Sequence, residues 1–318
     1  MSDRTCIEWT DATWNPIRGC SRVSPGCVHC YAEGVAKRFS GPGQPYEGLI
    51  SKHGAWNGNI RFIEHALDQP LRWKRPRRIF VNSMSDLFHE NVSDLQITRI
   101  FDVMEQAYWH TFQVLTKRPE RMRDFVQRRE ANHQEYARKF DNCPTEAMRS
   151  SPAASDARRR AAAPPSNIWL GVSVENQEAA DERIPLLLQI PAAIRFLSCE
   201  PLLGPIDLDG LWGYAGSALS VDLAHWPIHW VIAGGESGRG ARPMDANWAR
   251  GLRDQCNLAD VAFFFKQWGE YLPAGQDGNP DIEPWEINAS DEPAKVGKKR
   301  AGRRLDGRIW NEFPKETQ

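Results

Sequence analysis

Six times along the chain a short apolar run gives way at once to small, polar or charged residues. The runs open the segments Arg77–Asp86 (RRIFVNSMSD), Thr111–Glu120 (TFQVLTKRPE), Asn167–Asn176 (NIWLGVSVEN), Ile194–Leu202 (IRFLSCEPL), His229–Gly238 (HWVIAGGESG) and Ala262–Glu270 (AFFFKQWGE). Runs of this kind predict strands buried on both faces, as in a parallel sheet covered by helices. Between them the pattern changes period. Ser93–Gln106 carries Leu95, Ile97, Ile100, Phe101 and Met104 at helical spacing. A repeat of roughly 30 residues is that of a strand-plus-helix unit. With one more strand near Ile7–Thr13, the pattern predicts an α/β fold: a parallel sheet curled into a full or partial (β/α) barrel. A doubly wound sheet is the alternative. Either fold gathers its chemistry at the C-terminal ends of the strands.

The repeat occupies residues 1–270. It is broken once, by an insertion over 131–166 whose second half, Ser150–Ser166 (SSPAASDARRRAAAPPS), reads as loosely held or disordered. Residues 271–318 have a different texture and are expected to form an appendage, packed on the barrel through Trp285, Trp310 and Phe313.

Composition narrows the partners. Forty basic side chains face 41 acidic ones, a formal net charge of -1, which argues against coating nucleic acid by bulk charge. Local basic stretches remain at Arg72–Arg78, Arg118–Arg123 and Lys295–Arg304, and thirteen tryptophans offer stacking surfaces. No apolar run reaches membrane-spanning length and the N-terminus lacks a signal-peptide core, so a cytoplasmic protein without a membrane partner is expected.

In a reducing compartment the seven cysteines are not expected to form disulfides. Three of them, Cys20, Cys27 and Cys30, share one Gly/Pro/Ser-rich loop, TWNPIRGCSRVSPGCVHCYAE. Clustered thiolates are soft ligands for zinc or an iron–sulfur cluster. Structural zinc wants a fourth ligand, and no second Cys-X2-Cys pair exists. Three ligands leave one metal position open for chemistry. Cys6, Cys143, Cys199 and Cys256 read as free or buried thiols. Cys199 is also a candidate hydrogen-atom donor, because it ends a strand beside Glu200.

The other strand ends supply further candidates: Asn82, Ser83, Ser85 and Asp86; Thr116, Lys117 and Arg118; Ser173 and Glu175; Gly234, Gly235 and Glu236; Lys266, Gln267 and Glu270. Asp86 either pairs with an ammonium or caps the next helix. Lys117 either holds a carboxylate or phosphate or is simply solvated. No P-loop, GxGxxG or HExxH spacing is present.

The cysteine loop resembles the cluster-binding loop of the radical S-adenosylmethionine superfamily, in the form seen in spore-photoproduct-lyase-like members. The resemblance rests on Asn15-Pro16, Arg18-Gly19-Cys20 and Gly26-Cys27-Val28-His29-Cys30-Tyr31-Ala32; the departure is the six residues between Cys20 and Cys27, more than the family usually has. NSMSDLFHE, FQVLTKRPERM, WLGVSVE, FLSCEPL, GGESG and FFFKQWGE also resemble a phage-associated family known for a three-cysteine motif. The resemblance implies a [4Fe–4S] cluster on Cys20, Cys27 and Cys30, with S-adenosyl-L-methionine on the fourth iron. One electron from an external reductant then yields a 5′-deoxyadenosyl radical. It implies cofactor contacts from His29 and Tyr31, from Asn82, Ser83 and Asp86, and from Ser173 and Glu175 at the ribose; Gly234, Gly235 and Glu236 expose backbone N–H groups that either line the cofactor or an anion or form a plain glycine turn. Cys199, Glu200 and Lys117 become the catalytic candidates. The implied substrate is a modified nucleobase or DNA, most sharply a glycyl-thymidine isomerised in phage DNA hypermodification. A photoproduct-type repair lyase is the second enzymatic option, and a non-catalytic zinc-binding phage protein is the alternative of another class.

Overall fold

In the computed structural model, residues 5–209, 228–278 and 292–315 are described. The six apolar runs all become strands. With β1 (Ala12–Trp14) they are β2 (Arg78–Val81), β3 (Thr111–Thr116), β4 (Ile168–Ser173), β5 (Ile194–Cys199), β6 (Trp230–Gly234) and β7 (Ala262–Gln267). They form one seven-stranded sheet in which every pair is parallel and spatial order follows chain order. A doubly wound sheet would reverse direction part-way, and this one does not. It is an open, partial β/α barrel.

Strand alternation gives the sheet two different faces. The convex face, with Ile79, Val81, Phe112, Val114, Leu170 and Val231, packs under the helices in the main core. The concave face forms its own aromatic cluster from Trp9, Phe80, Trp169, Phe196, Trp230 and Phe264. Gly171 sits on that inner face because the ring of Phe196 occupies the space a Cβ would need, 2.6 Å away. The first strand is displaced from expectation. Pairing begins at Ala12, and Trp9, expected within the strand, inserts instead into the barrel floor.

The major helices are α1 (Tyr31–Arg38), α2 (Asp94–Gln106), α3 (Pro119–Asp141), α4 (Pro152–Ala162), α5 (Gln177–Leu188) and α6 (Ala246–Leu258). Helix α2 starts with a capping box: the Ser93 hydroxyl accepts from the Gln96 N–H while the Gln96 side chain accepts from the Ser93 N–H. It buries Ile97, Ile100, Phe101, Val103 and Met104, whereas Leu95 points to solvent.

The segment read as loosely held contains α4. Ser151 caps it by accepting from the Ala154 N–H, Ala154 and Ala157 are buried, and Arg160 pairs with Glu105 of α2 at 2.7 Å. Alanine-rich composition with Ser then Pro at the start is a helix signal, which outweighs the low-complexity appearance. The C-terminal segment is wedded to the barrel. Asn311 bridges antiparallel to Phe264 of β7, Trp310 enters the main core, and Phe313 enters the floor cluster, 4.1 Å beneath the Arg78 guanidinium of β2. The sheet edge at β7 is thereby partly covered. Trp285 lies outside the described residues.

Candidate functional site

At the C-terminal ends of the strands the concave face opens into a cavity of about 590 Å³. Its floor is Trp9, Phe80 and Leu115; its wall carries Asn82, Ser173, Ser198, Glu200, Lys266 and Gln267; Cys20, Cys27 and Cys30 stand on its rim. The sequence therefore delivers three thiols and a ring of polar strand tips to one place. A second cavity of about 500 Å³ lies by Arg77, Arg78, Trp109 and His110 at the opposite ends of the strands. There Arg78 pairs with Asp11 and Arg77 stacks 4.7 Å from the Trp73 ring, so the Arg72–Arg78 stretch lies away from the cysteines.

Local geometry explains how the cysteine loop is built. Gly19 has φ +96°, and a Cβ there would stand 2.1 Å from the Asn59 carbonyl oxygen, so only glycine fits before Cys20. Asn82, the residue that follows β2, also adopts a positive φ of 60°, a conformation asparagine tolerates better than most residues. Its Oδ1 accepts from the Ile17 N–H at 3.4 Å. Ser83 donates to Asn15 at 3.2 Å, Ser85 donates to the Ile17 carbonyl at 3.0 Å, and the Tyr31 hydroxyl donates to the Ser83 carbonyl at 2.8 Å.

Three ion-paired groups from separate strand tips then hold the loop. After β3, Arg118 donates to Asp86 (3.0 Å), to Glu90 (3.1 Å) and to the Ser21 hydroxyl (2.7 Å) beside Cys20. After β4, Glu175 accepts from Ser24 and from Arg183 (2.7 Å), with the Lys117 ammonium 3.9 Å away. After β6, Arg242 forks onto Glu236 (2.8 and 2.6 Å) and donates to the Pro25 carbonyl at 3.0 Å. Buried His89 supports the first clamp. Its Nδ1 accepts from the Asn91 N–H, so Nε2 carries the proton and faces Ser21 at 2.9 Å. Burial pushes the pKa of His89 down and Arg118 adds to this, consistent with a neutral ring.

These contacts revise several expected roles. Asp86 accepts from the Phe88 N–H, the Thr116 hydroxyl, the Lys117 N–H and Arg118, so both oxygens are used within the protein and it is a loop organiser. Glu175 is likewise committed to Ser24 and Arg183, not open to ribose hydroxyls. Burial alone would raise its pKa, but Lys117, Arg183 and Ser24 outweigh that and hold it below the usual carboxylate range. Glu236 is occupied by Arg242. Gly235 serves close packing: a Cβ there would stand 1.9 Å from the Trp268 carbonyl oxygen. Gly235 lines the cavity; Gly234 does not. Glu200 lines it while accepting from Lys266 at 2.8 Å and Gln267 at 3.1 Å. His29, Tyr31, Ser83, Ser173 and Lys117 also line it.

Cys199 is placed differently from expectation. Ser198 faces the cavity, and alternation turns Cys199 to the convex side, wholly buried in the main core. Burial pushes its thiol pKa far up. It is a packing residue. Cys6, read as a free or buried thiol, is exposed and lines the cavity.

Among the described residues no three Cys, His, Asp or Glu side chains are grouped to hold one metal ion. A four-iron cluster binds each thiolate through a different iron, so its cysteines need not converge on a single point. The Cys20 thiol is pushed up to about 12, first by burial and then by Asp86, with Arg118 opposing; burial likewise raises Cys30. Without a metal these thiols hold their protons, and metal binding would release them. Asn82 Nδ2, Gln267 Oε1 and Trp9 Nε1, all on cavity-lining residues, are buried without a hydrogen-bond partner. Buried polar groups ordinarily find partners, so these three atoms are open to a polar ligand in the cavity.

A family model for a protein of unknown function, DUF5131, matches residues 4–314. The chain belongs to the DUF5131 family. No curated protein and no solved structure matches it. Among the described residues of this DUF5131 protein, no helix is long and apolar enough to cross a membrane.

Proposed function

We propose that this DUF5131 protein is a radical S-adenosylmethionine enzyme whose cysteines 20, 27 and 30 hold a [4Fe–4S] cluster over the barrel mouth. The observation that carries the proposal is the placement of three loop thiols on the rim of a polar cavity at the C-terminal ends of a partial β/α barrel. When bound, the cluster and the sulfonium cofactor supply one-electron cleavage to a 5′-deoxyadenosyl radical that abstracts hydrogen. The chain's own residues bind and shield. Arg118, Glu175 and Arg242 fix the loop, while Asn82, Ser173 and Ser198 offer polar contacts along the wall. Trp9, Phe80 and Leu115 close the floor against water. Lys266 and Glu200 form a charged pair beside which a substrate is oriented.

The substrate we propose is a nucleobase, most sharply a glycyl-thymidine type base of phage DNA, with photoproduct-type repair as the second reaction. A base in a duplex would have to be swung out to reach this recessed cavity. The competing reading, a zinc site without catalysis that Cys6 would close as fourth thiol, needs ligands converging on one ion, and among the described residues no three are so grouped. Anaerobic reconstitution with iron and sulfide, followed by reduction in the presence of S-adenosylmethionine, tests the proposal. Formation of 5′-deoxyadenosine is expected; a colourless zinc protein that leaves the cofactor intact would refute it.

A further inference from the structure

Two loops meet at one edge of the cavity mouth, and Glu270 ties them together. Its carbonyl accepts from the Val296 and Gly297 N–H groups at 3.1 and 3.0 Å, and its side chain accepts from the Gly238 N–H at 2.9 Å. Pairing of Tyr271–Leu272 with Ala294–Lys295 anchors the start of the basic run Lys295–Arg304. The run thereby reaches the mouth. Lys298 lines the cavity and pairs with Glu8 at 3.7 Å, and Lys299 and Arg300 beside it are exposed. On the loop after β6, Arg239 is exposed next to Gly240, where a Cβ would stand 2.9 Å from the His29 ring. Arg239 thus stands between the tie to Glu270 and the cysteine loop.

The arc is positive and has no apolar centre. Residues 292–304 hold six Lys/Arg against one acid, Glu292, in a chain whose total is -1. Two acids of the mouth are already engaged, Glu8 by Lys298 and Glu236 by Arg242. Among the described residues, no large exposed hydrophobic side chain falls within 234–240 or 292–304. A protein partner would want an apolar interface core and a bilayer an apolar face to bury, whereas a phosphate polymer wants charge. Elsewhere on the rim Tyr31 is 52% exposed, its hydroxyl fixed on the Ser83 carbonyl at 2.8 Å, and its ring is a surface on which a base can stack.

We propose that Arg239, Lys298, Lys299 and Arg300 hold the phosphodiester backbone of a nucleic-acid strand while one of its bases enters the cavity. The inference rests on the nucleobase substrate proposed above and deepens it. Arg239, Lys299 and Arg300 do not line the cavity, so they meet phosphates flanking the entering nucleotide. The substrate is then a base within a polymer, not a free nucleotide. The Arg72–Arg78 stretch, at the opposite ends of the strands, takes no part.

The test is fluorescence anisotropy of a labelled single-stranded oligonucleotide over a range of salt. In a Lys299→Glu/Arg300→Glu variant, affinity should fall about tenfold or more, and the slope of log affinity against log salt should become shallower by about 1.4 as two phosphate contacts are lost. Lys74→Glu/Arg75→Glu, changing two exposed cations of the other basic stretch, should bind as the wild type does. Arg239→Glu alone should give the same sign of change if the double variant folds poorly by circular dichroism. Wild-type affinity in both arc variants overturns the proposal. So does loss of binding in Lys74→Glu/Arg75→Glu with the arc variants intact. Polyglutamate that competes as well as unlabelled oligonucleotide would reduce the arc to an unselective polyanion patch, and overturns it too. Binding needs neither cofactor nor reductant, so a chain that holds the strand but forms no 5′-deoxyadenosine defeats the radical assignment and not the arc.

Discussion

The two ends of this barrel are built on opposite principles. At the floor, Trp9, Trp169, Trp230, Phe264 and Phe313 fill the interior with aromatic carbon, and the ring centroids of Trp230 and Phe313 lie 5.1 Å apart. At the mouth, the same strands end in charges and amides, and Asn82 Nδ2 and Gln267 Oε1 on cavity-lining residues lack partners. Burying aromatic surface stabilises the fold, whereas unsatisfied buried polar atoms cost about 1–3 kcal/mol each. The comparison teaches a division of labour. The floor supplies stability, and the mouth gathers polar strand ends around a cavity.

Four experiments break or sharpen that division. The largest effect is expected from Cys20→Ala, Cys27→Ala or Cys30→Ala: each should reduce reconstituted iron to background, while Cys199→Ala, altering a thiol on the far side of the sheet, should not. Iron retained by all three loop variants would show the mouth is no cluster site. Next, Trp230→Ala at the floor should cost about 3–5 kcal/mol in urea unfolding, by lost burial and a cavity. A loss below about 1 kcal/mol would mean the floor contributes less than its packing implies. Third, Arg118→Met should cost about 2–3 kcal/mol, because it strands Asp86, which is 6% exposed, and frees Ser21. Limited proteolysis should then cut the cysteine loop sooner; unchanged protection would remove Arg118 from the clamp.

The smallest effect concerns pH. The folded pKa of Glu175 is lowered, so its contribution is complete above its ordinary value of 4.5 and is lost as pH falls through the lower folded value. Stability of the wild type should therefore decline more steeply in acid than that of Glu175→Gln. Parallel acid limbs in urea titrations would show that Glu175 does not hold the loop by its charge.

The sheet was legible because parallel strands are buried on both faces and write themselves as continuous apolar runs. The cysteines were legible because three ligands share one short loop. The clamps were not: Arg118 reaches Ser21 across 97 residues and Arg242 reaches Pro25 across 217, and local sequence carries no trace of such pairings. The burial of Cys199 in the main core does have a local signal. If Ser198 and Glu200 face the cavity, a residue between them points the other way. In α4 the Ser151-Pro152 start was present, but low complexity masked it.

The account stands on three thiolates holding a multi-iron group with one corner left free of protein. Iron and acid-labile sulfide, counted per chain after anaerobic reconstitution of the wild type and of Cys6→Ala, test this most directly. The account predicts a brown protein with about four of each in both chains. A single zinc per chain, lost on replacing Cys6, would contradict it.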